Sequence, residues 1–407
     1  MTSQSVFWGA LSLGLLLFQV PALFLLLARL IKGASRTPPI QPKLSDGDTS
    51  AGVKSAANSP NVSVIGPTLN EAHRLGPCLA GLSQQGPEVQ EILVVDSRST
   101  DGTQALVEAI AQQENRLRLT TDDPLPPGWV GRPWALHTGF LQSAPDSDWV
   151  LGVDADTYPR PGLVASLLAI AEQQRYDIVS LSPRFKLDGP GEWWLQPALL
   201  MTLIYRFDSA GVLESSPERV MANGQCFLSR RSVLAQLDGY RCAASSFCDD
   251  VTLAREAARQ GFRVGFLDGA DVISVRMYEG IADTWHGWGR SLDLKDAASP
   301  GQQWQDLWLL IATQGLPLPL ALILMVAWGM GAGTPMLAGA IALNSALLLV
   351  RLGMQVAIAN SYEWPPQILS PALCFWLAPL ADPVAVVRIA LSTVQRSIQW
   401  RGRVYHK

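Results

Sequence analysis

Asp154 and Asp156 stand one residue apart where the run DWVLGVDAD gives out into a Thr-Tyr-Pro turn. Successive strand residues point to opposite faces, so two carboxylates in this register point the same way. Two negative charges on one side of a strand end repel unless a cation lies with them. Mg2+ and Mn2+ take hard oxygen ligands, commonly one or two carboxylates plus substrate phosphates. The chemistry on offer is a metal–diphosphate site. The plain alternative is a solvated turn, because Asp-x-Asp arises often by chance.

Other residues offer related chemistry. Asp96 closes EILVVD, directly after four apolar strand residues. Capping of the helix that starts at Thr103 explains Asp101, but it does not explain Asp96. Asp249 and Asp250, in SFCDDVTLAREAARQGF, open a helix. Acidic residues there complement the helix dipole. A carboxylate in a cleft beside other carboxylates also has a raised pKa, which suits a general base that takes a hydroxyl proton. In PLPPGWVGRPWALHTGF a Pro/Gly loop feeds a helix, and Arg132 is its one cation. A helix N-terminus attracts anions, and Arg132 could clamp a phosphate there. Trp129 and Trp134 either stack on a ligand or pack the core.

These residues need elements to position them. From Asn61 to about Ser299, short β runs alternate with helical stretches. VSVIGPTLNE reads as a strand and its turn, EILVVDS as a buried strand, and DWVLGVDAD as another. Leu75 to Gln84, Thr103 to Gln113 and Gly162 to Gln174 have helical spacing. Alternation of this kind predicts an α/β domain with a mostly parallel sheet. Such sheets bind ligands at the carboxyl ends of their strands, where Asp96, Asp154 and Asp156 fall.

The rest of the 407 residues is greasier. The chain is 48% hydrophobic and only 16% charged, against about 25% charged in soluble proteins. Its net charge of -4 lacks the basic footprint of a nucleic-acid binder. Five cysteines without CxxC spacing suit a reducing compartment. Val6 to Ile31 is long enough to cross a hydrocarbon core of about 30 Å. It has neither a basic start nor a small-residue cleavage site, so residues 1–32 read as a retained transmembrane anchor. Arg29, Lys32, Arg36 and Lys43 put its C-terminal end in the cytoplasm. Residues 33–60, rich in Pro, Ser, Gly and Asp, read as a flexible linker. A membrane region follows over 300–394, with spans expected at about 307–328 and 334–354. An interfacial or re-entrant stretch is expected over 367–391, which keeps the basic tail, 395–407, cytoplasmic.

With these residues in hand, the chain resembles a known family. PTLNE, VVDSRSTDGT, VDADT and CDDVTLAREA occur in the order and approximate spacing of family 2 inverting glycosyltransferases of the GT-A fold. The likeness runs from Val62 to about Asp296. GWVGRPWAL looks like a segment of ceramide-glucosyltransferase-like proteins. SLSPRF, ERVMANGQCFLSRR, FCDDVTLAR and TWHGWGRSLDLKD look most like cyanobacterial carotenoid 2'-O-glycosyltransferases of the CruG type.

The resemblance implies roles by position. Glu71 and Asp96 would hold the nucleotide base and ribose, with Pro67 beside them in the donor-binding set. Asp154 would support the nucleotide, and Asp156 would bind the Mg2+ or Mn2+ that bridges the diphosphate. Asp250 would be the general base, with Asp249 next to it. MANGQC, Met221 to Cys226, would lie near the sugar and acceptor, with Gly224 in the donor-binding set. Processive members carry Q-x-x-R-W after the base motif. Here Trp285 to Ser291 keeps Arg290 without its Trp, and Arg290 would reach the diphosphate or lie on the surface. That departure, with few following spans, favours single transfer. The implied partners are a nucleotide-sugar donor, a lipid acceptor (a carotenoid first, otherwise ceramide, sterol, hopanoid or polyprenyl phosphate) and the bilayer, with no nucleic acid. The reading from another class is an inactive sugar-nucleotide-binding membrane scaffold.

Overall fold

A computed structural model describes residues 3–43, 60–291, 294–366, 369–395, 397–400 and 403–406. The chain divides into two compact units. One comprises Arg36–Lys186 and Ala210–Met277; the other comprises Met1–Ser35, Leu187–Ser209 and Tyr278–Lys407.

Among the described residues the first unit carries ten strands: β1 (Val62–Thr68), β2 (Val89–Asp96), β3 (Leu117–Thr121), β4 (Trp149–Val153), β5 (Thr157–Pro159), β6 (Ile178–Ser182), β7 (Arg184–Lys186), β8 (Cys226–Arg230), β9 (Val264–Asp268) and β10 (Ile273–Val275). Seven form one sheet in the order β3-β2-β1-β4-β8-β6-β9. Pairings are parallel except at β8, which runs antiparallel to both β4 and β6. This is the α/β, mostly parallel sheet that the sequence predicts. A smaller set joins β10 to β5 antiparallel and to β7 parallel.

Alternation along each strand builds two cores. Val64, Ile92, Val94, Leu151 and Val153 pack with Leu79 and Leu82 of the Leu75–Ser83 helix and with Leu163 and Leu167 of the Leu163–Gln174 helix. Ile65, Leu93, Val95 and Val150 pack on the other face, with Leu136 of the Gly131–Gln142 helix and Leu253 and Ala257 of the Asp249–Arg259 helix. The Gly131–Gln142 helix comes so close that a Cβ at Gly139 would run into Ile65 and Val95. The chain leaves β1 for β2 and β3 on one side and returns at β4 on the other. The carboxyl ends of β1 and β4 therefore flank a topological switch point, the usual ligand crevice of such sheets.

The linker expected over 33–60 is held down at its start. Thr37 N–H donates to the Gly211 carbonyl at 2.9 Å and Ile40 N–H to the Asp268 carbonyl at 2.8 Å. Lys43 N–H donates to Ser166 Oγ at 2.7 Å. Ile40 is buried in the sheet's core. Residues 44–59 lie outside the described residues.

Among the described residues of the second unit, two helices are long and apolar enough to cross a membrane, Gln4–Ser35 and Pro335–Ser361. Where a straight span is expected at about 307–328, Pro300–Gly315 and Pro317–Gly329 are bent by 49°. A π-helical turn, Ile311–Gly315, precedes the break. Ser370–Trp376 and Ala378–Val394, over the expected interfacial or re-entrant stretch, are bent by 51°. Several polar groups inside this unit are paired. Gln19 and Asn344 exchange two side-chain hydrogen bonds, at 3.0 and 3.1 Å. Arg351 and Asp382 form a buried ion pair at 2.7 Å. The Pro190–Phe207 helix, expected inside the α/β domain, groups with this unit instead. Trp193 from that helix stacks 5.0 Å from Trp364 and lies 6.2 Å from Phe375. In the basic tail, Ser397–Trp400 pairs antiparallel with Arg403–His406.

Candidate active site

β4 ends at Val153, so Asp154 and Asp156 sit in the turn that follows rather than on the strand. Strand alternation is therefore not what aims them, a correction to the sequence argument. The turn is closed by the Asp154 carbonyl, which accepts from Thr157 Oγ1 at 2.8 Å. The two carboxylates face different partners. Asp154 Oδ1 accepts from Arg132 Nε at 3.0 Å and Nη2 at 2.9 Å. Asp156 Oδ1 is buried and has no hydrogen-bond partner among the described residues. Burial, then the charges of Asp154 and Glu71, push the Asp156 carboxyl up to about 8, against a smaller opposing pull from Arg74. A buried, unpartnered carboxylate oxygen among like charges is an environment that a divalent cation relieves. Among the described residues no group of three or more His, Cys, Asp or Glu side chains forms a cage. The donor set fits a hard cation completed by phosphate oxygens.

Glu71 follows β1, 3.4 Å from Arg74 Nε. Its N–H donates to Thr103 Oγ1 at 2.9 Å. Asp101 caps Thr103, as the sequence indicates, and also accepts from Ala72 N–H at 2.9 Å. Asp96, at the carboxyl end of β2, is 1% exposed. It accepts from Ser99 N–H, Ser99 Oγ, Gln104 Nε2 and Thr68 Oγ1. Four donors fill a carboxylate's acceptor sites, so Asp96 organises this loop. Pro67 lies in β1, opposite Val95. Trp129 and Trp134 pack edge to face at 5.1 Å, and both rings lie against His137. Burial lowers the His137 pKa.

The Asp249–Arg259 helix brings in the third acidic pair. Its two members have different partners. Asp249 is paired with Arg132 Nη1. Asp250 Oδ2 accepts from Gly224 N–H at 2.6 Å and its Oδ1 from Val251 N–H at 2.9 Å. Burial raises both carboxyls, Asp249 to about 7. The Gly224 carbonyl in turn accepts from Arg132 Nη2 at 2.8 Å. The Gly224 loop is fixed by Asn223 and Gln225, which exchange hydrogen bonds at 3.0 Å. Both lie in the MANGQC run that the sequence singles out, whereas sequence reasoning missed Arg74, for which the i, i+3 spacing from Glu71 was the available signal. Arg290 belongs to the Gly280–Ser291 helix of the second unit, and its side chain lies outside the described residues.

The sheet order, with one antiparallel strand, is that of a GT-A fold, and acidic groups gather at its switch point. Residues 63–238 match the family model described as "Glycosyl transferase family 2". It is 28% identical over 233 residues to a 4,4'-diaponeurosporenoate glycosyltransferase from Staphylococcus haemolyticus (strain JCSC1435). The match covers 57% of this chain and 61% of that protein's length. A mannosyltransferase from Pyrobaculum calidifontis, solved in complex with GDP-Man and Mn2+, shares the fold. Its TM-score is 0.50 at 19% identity, over 95% of this chain and 98% of that one.

Proposed function

We propose that this protein transfers one sugar, with inversion, from a nucleotide-sugar donor to a hydroxyl of a membrane lipid, and that the acceptor is a hydroxylated carotenoid. The observation that carries the reading is the set of carboxylates at the switch point. One of them, Asp156, has a buried oxygen with no hydrogen-bond partner among the described residues, while another, Asp250, is oriented by two backbone amides. The carotenoid acceptor draws support from the diaponeurosporenoate glycosyltransferase relative and from the CruG-type runs. Two apolar helices of spanning length agree with an acceptor that stays in lipid. Positive residues after the first helix favour a cytoplasmic catalytic unit.

In this mechanism the acceptor hydroxyl attacks the anomeric carbon as the bond from that carbon to the diphosphate breaks. The hydroxyl proton passes to Asp250. The amides of Gly224 and Val251 hold the Asp250 carboxylate in place, and its burial keeps it basic enough to take the proton. Asp249 serves as counter-ion to Arg132 rather than as the base. Asp156 would hold Mg2+ or Mn2+, which when bound neutralises charge on the departing nucleoside diphosphate. One displacement suffices, so no covalent sugar–enzyme intermediate is required.

The test is pigment and lipid extraction from a strain lacking the gene, compared with its parent by mass spectrometry. The expected result is loss of a glycosylated carotenoid and accumulation of its aglycone, reversed by wild type but not by Asp250→Asn. Unchanged carotenoids with loss of another glycolipid would overturn the acceptor while leaving glycosyl transfer intact. Full rescue by Asp250→Asn would favour the inactive scaffold.

A further inference from the structure

Arg132 is placed by the sequence as a phosphate clamp, but its donors are already committed. A guanidinium has five N–H groups and no acceptor. Nε and Nη2 both donate to Asp154 Oδ1, at 3.0 and 2.9 Å. Nη2 also donates to the Gly224 carbonyl at 2.8 Å, and Nη1 pairs with Asp249 Oδ2. Four of the five are thereby used within the protein. The partners lie 22, 92 and 117 residues away in sequence. They come from the turn after β4, the loop before β8 and the start of the Asp249–Arg259 helix.

We propose that Arg132 is a positioning residue that ties the donor-side turn to the general base. On one side it fixes Asp154, two residues from the carboxylate assigned to the cation. On the other it holds Asp249 and the carbonyl of Gly224, whose own N–H fixes Asp250 at 2.6 Å. One planar cation thus sets the spacing between the departing diphosphate and the group that takes the acceptor's proton. The inference rests on the glycosyl-transfer reading and assigns a role within it.

Two features bear this out. The charges of Asp154, Asp249 and Asp250 all act on Arg132, which stays ionised despite its burial. Gly224 approaches so closely that a Cβ there would run into Arg132 Nη2. A lysine has one ammonium on a flexible stem and cannot reproduce the fork that reaches three elements at once. A misplacement of about 1 Å in a reacting pair costs roughly a hundredfold in rate.

The experiment uses the purified full-length chain in phosphatidylcholine vesicles with a hydroxylated carotenoid. UDP-glucose, GDP-mannose and GDP-fucose are offered in turn as donors. For Arg132→Met, the expected result is a kcat about 100-fold lower, with donor KM and calorimetric affinity for UDP or GDP within about threefold of wild type. Arg132→Lys should recover no more than about a tenth of the lost rate. Asp249→Asn should cost about tenfold alone and nothing further in the Arg132→Met background, because the two act through one contact. The opposite split, with donor affinity down more than tenfold and kcat nearly unchanged, would make Arg132 a diphosphate ligand and overturn the proposal. Multiplicative losses in the double variant would overturn it as well. Should Arg132→Met fail to fold, Arg132→Lys and Asp249→Asn carry the same pair of readouts. No turnover by wild type with any of these donors would sink the carotenoid-glycosylation reading on which the proposal rests, an outcome distinct from wild-type turnover with the wrong split.

Discussion

Asp249 and Asp250 are adjacent carboxylates at one helix start, yet exchanging each for Asn should have very different effects. Asp250 accepts two backbone N–H groups, one on each oxygen. In Asp250→Asn one of those amides faces an NH2 group in place of an oxygen, and the side chain can no longer take a proton. Loss of a positioned general base costs about 10²–10⁴ in rate, or about 3–5 kcal/mol of barrier at about 1.36 kcal/mol per tenfold. Asp249→Asn keeps the base and removes only part of the counter-charge of Arg132, for an expected loss of about tenfold. The assay is release of nucleoside diphosphate by purified protein, with intact folding checked by thermal unfolding. Its pH dependence adds a second readout. The Asp250 carboxyl is raised by burial, and only its ionised form accepts a proton. Wild-type kcat/KM should therefore fall as pH drops, beginning above the ordinary aspartate value of about 3.9. Equal losses in the two variants would refute this division of roles, as would a wild-type profile flat down to the ordinary aspartate value of about 3.9.

Three further outcomes are expected. Chelation by EDTA should abolish transfer. Mn2+ or Mg2+ should restore wild type but not Asp156→Asn, whose Mn2+ binding, read by electron paramagnetic resonance, should be lost. Gly224→Ala should fold yet lose roughly a hundredfold in kcat, because the added methyl meets Arg132; near-normal kinetics would show that the loop yields. In the second unit, Arg351→Met or Asp382→Asn leaves a buried charge or its partners unpaired and should cost about 3–5 kcal/mol in stability. Replacing both with apolar residues should recover most of that loss, as measured by thermal unfolding in detergent.

What the sequence made legible was local. The β-branched runs of β1, β2 and β4 and the helices beginning near Leu75, Thr103 and Leu163 follow from periodicity, and Asp101 from capping. What it hid depends on long-range contact. Nothing near Arg132 announces Asp249, 117 residues on. The donors that surround Asp96 include Thr68, 28 residues away on β1. The Pro190–Phe207 helix has an apolar pattern that suits either unit, and long-range contacts such as those of Trp193 with Trp364 and Phe375 group it with the second. The 36–43 segment looked like plain linker because its ties are mostly backbone hydrogen bonds, to which composition is blind.

The place of β8 in the sheet has a consequence for biosynthesis. β4 and β6 each pair with β8, which is made after both. Until residue 226 has left the ribosome, β4 is an open margin of a four-stranded half-sheet, with every one of its residues destined for burial. At synthesis rates of about 5–20 residues per second, that margin stays bare for roughly 4–15 seconds. An unpaired hydrophobic strand is a template for wrong partners. During the same interval the Pro190–Phe207 helix of the other unit is being made. Yield of active protein should therefore depend on how quickly translation carries the nascent chain from β4 to β8, and slow codons in that interval should favour aggregation.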